Sequence, residues 1–234
     1  MKILTDQFKY KELLRTDHEL GRYYQIDSNG RRLPSVTTIL SKTAPEHKTK
    51  KLDEWRNKVG HEEAERITNE SIHIGEHLHK NLENHILGTG VTSGPLISKV
   101  MAKLIINQGL CNVKEVWGIE APLYYPDLYA GTTDLVGVYD YQGTYTPCIM
   151  DFKNSRKTKK KEWIEDYILQ LAAYATAHNK VYNTNIKGGV IMMATRDLKY
   201  LKFEIVGKEF QDACDDWERR VEQFYTENPH FGNH

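Results

Sequence analysis

At 234 residues the chain is long enough for one domain with a sizeable core. Lys and Arg total 32 and so do Asp and Glu, so net charge is zero with histidine neutral. That argues against a generally basic coat and leaves room for a local basic groove only. Three scattered cysteines, Cys111, Cys148 and Cys214, with no CxxC, argue against a disulfide framework and, unaided, against a four-cysteine iron–sulfur cluster.

The opening MKILTDQFKYKELLRTD lacks the apolar run of a signal peptide, and no stretch approaches a membrane span. An intracellular, cytoplasmic, soluble protein is expected (host cytoplasm if viral), with no membrane partner and a monomer as the default state. Residues 23–40 open with a hairpin turning at Asn29-Gly30, and Pro34-Ser35 starts a helix from Val36. Residues 41–51, SKTAPEHKTKK, read as a polar basic loop. A helical pattern fills 52–87, with interruptions near Gly60 and Asn69. GTGVTSGP, 88–95, is a loop, and 96–108 is a further helix.

From there the period changes. Residues 114–125, 129–140 and 145–153 read as strands, the last two joined by a tight turn at 141–143. A helix over 162–182 follows, then strands 187–196 and 198–206 around Asp197. A closing helix over 208–226 carries the stripe Phe210, Cys214, Trp217, Val221 and Phe224. The pattern predicts one α/β domain over 1–234: an N-terminal hairpin and helical section, 1–110, covering a core, 111–234.

The chemistry gathers at strand ends. In CIMDFKNSRK, Asp151 and Lys153 are two apart and share a strand face next to a core. Asp134 shares its face with Thr132, Val136 and Val138, and an unpaired buried carboxylate there is expensive. If the two strands form a hairpin, Asp134 and Asp151 approach each other and repel unless a cation sits between them. Hard divalent ions take such oxygen ligands, and a lysine beside one can orient and help deprotonate an attacking water, or stabilise charge on a phosphate. A lone DxK is usually a surface ion pair, so its companions matter. On the helix IGEHLHKNLENHI, His79 borders the stripe Leu78, Leu82 and Ile86, with Glu83 one turn on and Gly75 one turn back. A histidine there can add a nitrogen ligand. After DFK, Gln170 and Tyr174 flank an apolar stripe that includes His178, where they can face the site. RKTKKK, 156–161, with Lys42, Lys48, Lys50 and Lys51, would attract phosphates. Some of the 14 Tyr and 4 Trp can stack bases.

GTTD (131–134), DFK (151–153), the helix Gly75–His79–Glu83 and Gln170–Tyr174 together resemble the PD-(D/E)xK nuclease superfamily, in particular its RecB-like branch. LPSVTTIL (33–40), KLDEWRNKVG (51–60) and HNKVYNTNIKGGVIMMATRD (178–197) add a resemblance to the mitochondrial genome maintenance exonucleases and their phage relatives, over roughly 30–225. Thr133 stands where the superfamily's nominal proline would be. The resemblance implies a restriction-endonuclease-like α/β core with a mixed central sheet flanked by helices. It implies a Mg²⁺ or Mn²⁺ cofactor held by His79, Asp134, Asp151 and the Phe152 carbonyl, with Lys153 as the catalytic lysine. Gln170 and Tyr174 would support the site, and Ser35, Thr37, Trp55 and Arg56 would contact DNA. Glu120 and Glu83 are secondary candidates. The implied substrate is single-stranded DNA with a free end, and the implied setting is replication, recombination or repair alongside unidentified proteins. A flap or junction endonuclease, and a non-catalytic nucleic-acid-binding module on a nuclease fold, are the alternatives.

Overall fold

The computed structural model describes residues 3–18 and 21–231. A six-stranded mixed sheet forms its centre. β1 (Ile3–Leu4) pairs in parallel with β5 (Val113–Tyr125), which is antiparallel to β6 (Tyr129–Tyr141), itself antiparallel to β7 (Thr144–Ser155). β8 (Gly188–Thr195) lies parallel to β7, and β9 (Tyr200–Val206) closes the edge antiparallel to β8. The parallel β7–β8 pair is bridged by helix α5 (Glu165–Tyr182), the crossover that such a pair requires.

Strand alternation sends two cores to opposite faces. Cys148, Met150 and Phe152 of β7, with Val190 and Met192 of β8, pack beneath α3 (His61–Leu87) and α4 (Leu96–Gln108) through Ile74, Leu78, Leu82, Met101 and Ile105. Ile149, Ile191 and Met193 face the other way, against α5 and α6 (Gly207–Glu227) through Leu171, Ala175, Trp217 and Phe224. Every residue of β8 is buried, as a strand covered on both faces demands. This is an α/β fold with a mixed sheet flanked by helices, in agreement with the expected restriction-endonuclease-like core. Among the described residues no helix is long and apolar enough to cross a membrane.

The N-terminal region departs from expectation in three places. Residues 41–51 are not all loop: α1 (Val36–Lys42), N-capped by the Ser35 side chain, is followed by α2 (Glu46–Val59). α2 buries no residue, so it has no apolar stripe to betray it; Glu46 in its first turn and the tie of Lys48 to Glu165 and Asp166 hold it instead. α3 runs unbroken past Asn69, and there Thr68 and Ser71 satisfy their hydroxyls within the helix by donating to the carbonyls of Ala64 and Ile67. Finally β2 (Leu14–His18) adds a strand to the expected hairpin of β3 (Gly21–Gln25) and β4 (Arg32–Pro34). This small sheet packs on Ala130 of β6 through Tyr24, Ile26 and Leu33.

Candidate active site

Three neighbouring strands put three carboxylates in one row. Ile119↔Leu135 and Ala121↔Thr133 pair across β5 and β6, so Glu120 stands opposite Asp134. On the other side the ladder ends at Leu135↔Met150, and one step further Asp134 comes beside Asp151. There the Phe152 amide donates to Asp134 Oδ2 at 2.6 Å. Asp151 and Lys153, two apart on β7, share the face turned to α5. Lys153 Nζ donates to Asp151 Oδ1 at 2.6 Å and to Gln170 Oε1 at 3.5 Å, and lies 5.0 Å from the Tyr167 ring centroid.

α3 delivers the histidine. Gly75 lets the helix approach β7: a Cβ there would lie 2.7 Å from the Asn154 amide nitrogen, which itself donates to the Ser71 carbonyl. One turn on, His79 Nδ1 lies 3.3 Å from Asp134 Oδ1 and 3.8 Å from Glu120 Oε1. Ligand atoms of His79, Glu120 and Asp134 all fall within 4.8 Å of one another. Glu120, a secondary candidate by sequence, is thus central, and it adopts φ +46°, a strained backbone for a strand residue.

The charges are interdependent. Burial pulls the His79 imidazolium down, but the adjacent Asp134 carboxylate, with Glu120 beside it, outweighs it and raises its pKa to about 10. Burial opposes ionisation of Asp134, yet His79, Lys153 and the Phe152 amide keep it ionised below its usual range. Asp151 is pushed up to about 6, by burial first and then by Asp134, against the pull of Lys153. Burial opposes the Lys153 cation too, but Asp151 and Asp134 raise its pKa, so it is an ammonium. Asp151 Oδ2 is buried and has no hydrogen-bond partner among the described residues. An orphaned carboxylate oxygen beside a His/Glu/Asp group is a donor set that a hard divalent cation satisfies.

The carboxylates and Lys153 open into a polar cleft of about 330 Å³ lined by Glu120, Asp134, Asp151, Lys153, Gln170 and Tyr174, together with Ser35 and Thr37, with His79 behind Asp134 and outside the lining. Tyr174 lies against Gly131, where a Cβ would sit 2.7 Å from its ring, so the GTTD and Gln170–Tyr174 motifs are in direct contact. Ser35 Oγ accepts from the Thr38 amide and lies 2.9 Å from Thr37 Oγ1. Trp55 and Arg56 do not line the cleft; they ride on α2, where Arg56 pairs with Asp53. Glu83 pairs with Lys80 at 2.8 Å, also away from the cleft lining. Sequence reasoning missed Leu13, Arg15, Arg22 and Tyr24, which also line it: Arg15 sits on β2, which no apolar alternation marks, and Arg22 and Tyr24 sit on β3, which only tertiary packing brings to the cleft. A cavity of about 370 Å³ between α5, α6 and the β5–β6 turn is larger, but it is mostly aromatic and aliphatic and has no metal-ligating group of three among the described residues.

No family model matches the chain. Over 177 residues it is 28% identical to mitochondrial genome maintenance exonuclease 1 of Mus musculus, a match covering 70% of this chain and 50% of that protein. The chain therefore spans about half the length of the curated relative it matches.

Proposed function

We propose that this chain is a divalent-metal-dependent nuclease that hydrolyses the phosphodiester bonds of single-stranded DNA from a free end, in replication, recombination or repair. The observation that carries the reading is the row Glu120–Asp134–Asp151 across three adjacent strands, closed by His79 and Lys153. The similarity to a protein named as an exonuclease supports it.

His79, Glu120 and Asp134 would hold Mg²⁺ or Mn²⁺, with Asp151 Oδ2 and the Phe152 carbonyl beside them. Bound there, the ion supplies charge against the phosphate and a water of lowered pKa. Lys153 carries its positive charge to the same point, pinned by Asp151 and Gln170, and stabilises charge that builds on the phosphate oxygens. From there it would orient a water or an oxygen beside the phosphate. Asp151 fixes the ammonium, and Gln170 sets its direction from α5. Tyr174 shapes the floor, Thr37 offers a hydroxyl to the strand, and Ser35 positions Thr37. Glu83 steadies the His79 helix from outside the cleft, and Trp55 and Arg56 would meet the strand only beyond it.

The test is digestion of end-labelled linear and covalently closed single-stranded DNA with Mg²⁺ or Mn²⁺. Linear substrate should be lost, the circle should stay intact, and Asp151→Ala should abolish the reaction. Cutting of the circle would favour the endonuclease reading. Tight binding with no metal-dependent loss would favour the non-catalytic module.

A further inference from the structure

Two cations outside every motif line the cleft together with the carboxylates: Arg15 on β2 and Arg22 on β3. They share one carboxylate, with Arg15 Nη2 2.9 Å from Asp17 Oδ2 and Arg22 Nε 3.1 Å from Asp17 Oδ1. Two guanidiniums on one carboxylate leave a positive charge in excess. The terminal nitrogens of Arg22 have no hydrogen-bond partner among the described residues. The Asp17 side chain is 62% exposed, so the ion pairs are weak and easily traded for a phosphate.

The hairpin is nevertheless fixed relative to the reaction centre. The Arg22 amide donates to Thr38 Oγ1, and that hydroxyl donates to the Arg22 carbonyl, both at 2.9 Å. Tyr24 Oη lies 3.4 Å from Thr132 Oγ1, on the strand that carries Asp134. Lys153 is held by the buried Asp151 and by Gln170, whereas Arg15 and Arg22 are held by the exposed Asp17, so these two are the cleft cations free to turn to a second phosphate. Guanidinium suits that task through its planar, bidentate donors.

We propose that Arg15 and Arg22 form a subsite for the phosphate adjoining the scissile one, selecting a polynucleotide strand over an isolated phosphodiester. This rests on the nuclease reading above. Asp17 holds the two guanidiniums in place until the strand displaces it.

The experiment compares wild type, Arg15→Gln/Arg22→Gln and Arg15→Lys/Arg22→Lys. Binding of fluorescent oligothymidylate is measured across a salt series, and hydrolysis of the same oligomer is compared with that of bis-p-nitrophenyl phosphate. The glutamine variant should bind tenfold or more weakly. Its log–log salt slope should be shallower by about 0.7, the value for one lost single-strand phosphate contact. KM for the oligomer should rise with kcat held, bis-p-nitrophenyl phosphate turnover should not change, and the lysine variant should recover most of the salt slope. An unchanged slope and affinity, or a parallel loss on bis-p-nitrophenyl phosphate, would overturn the proposal. A wild type inert on both substrates refutes the nuclease reading separately, while the salt series still decides whether the arginines contact phosphates.

Discussion

Glu120 and Asp134 stand opposite each other across β5 and β6, and Glu120 holds this position at φ +46°. Left-handed backbone at a residue other than glycine costs about 1–3 kcal/mol, which the surrounding sheet must offset. Glu120→Gly should therefore leave thermal stability unchanged or raise it by about 1 kcal/mol. The same variant should weaken Mn²⁺ binding tenfold or more by calorimetry. A large loss of stability would mean that the carboxylate itself holds the fold.

Lys153→Met removes the cation but keeps a stem of similar length. Turnover should fall roughly 10²–10³-fold, as for loss of one charge-stabilising donor, with oligomer affinity within a few-fold of wild type. Single-turnover kinetics would separate the two, and a variant that cuts at the native rate would remove Lys153 from the mechanism.

Gly131 and Tyr174 are packed too closely for a side chain. Gly131→Ala should cost about 1–3 kcal/mol through overpacking. Tyr174→Leu in the same chain should recover a large part, with a coupling of about 1 kcal/mol or more in urea melts. Additive effects would show that the two motifs do not bear on each other.

His178 gives a pH prediction away from the cleft. It is fully buried on α5, with Tyr10 Oη 3.1 Å from Nε2 and Thr184 Oγ1 2.8 Å from Nδ1. Phe8, Trp117 and Tyr182 ring it, so the titratable groups facing it are Tyr10 and Tyr182. Burial lowers its pKa to about 4. Below the unfolded value of about 6.5 the unfolded chain binds a proton that the folded chain refuses. Stability is thus present above pH about 6.5 and lost as pH falls toward 4. Chemical denaturation across that window should show a slope that His178→Gln reduces by close to one proton; an equal slope in both proteins would assign the loss elsewhere.

The helix over 96–108 and the strands around Asp134 and Asp151 were legible because apolar residues recur there with a clear period, and the turn at 141–143 because Gly143 breaks that period between two strands. The same alternation put Asp151 and Lys153 on one face, and the hairpin fixed Asp134 beside them. The start of α2, residues 46–51, and β2 were not legible, since neither repeats an apolar residue against a core. Glu120 was ambiguous for a related reason: alternation assigns a face, but a residue with positive φ departs from the regular strand on which that rule is built.

Sequence alone determined the layered α/β order and the local grouping of carboxylate and lysine, because both depend on neighbours a few residues apart. Tertiary structure decided which distant side chains share the cleft. The crossing of α3 over β7 at Gly75 brings His79 to Asp134, β5–β6 pairing adds Glu120, and the anchoring of β3 to Thr38 and Thr132 adds Arg22. Such convergence is set by packing between elements far apart in the chain, and no local period encodes it.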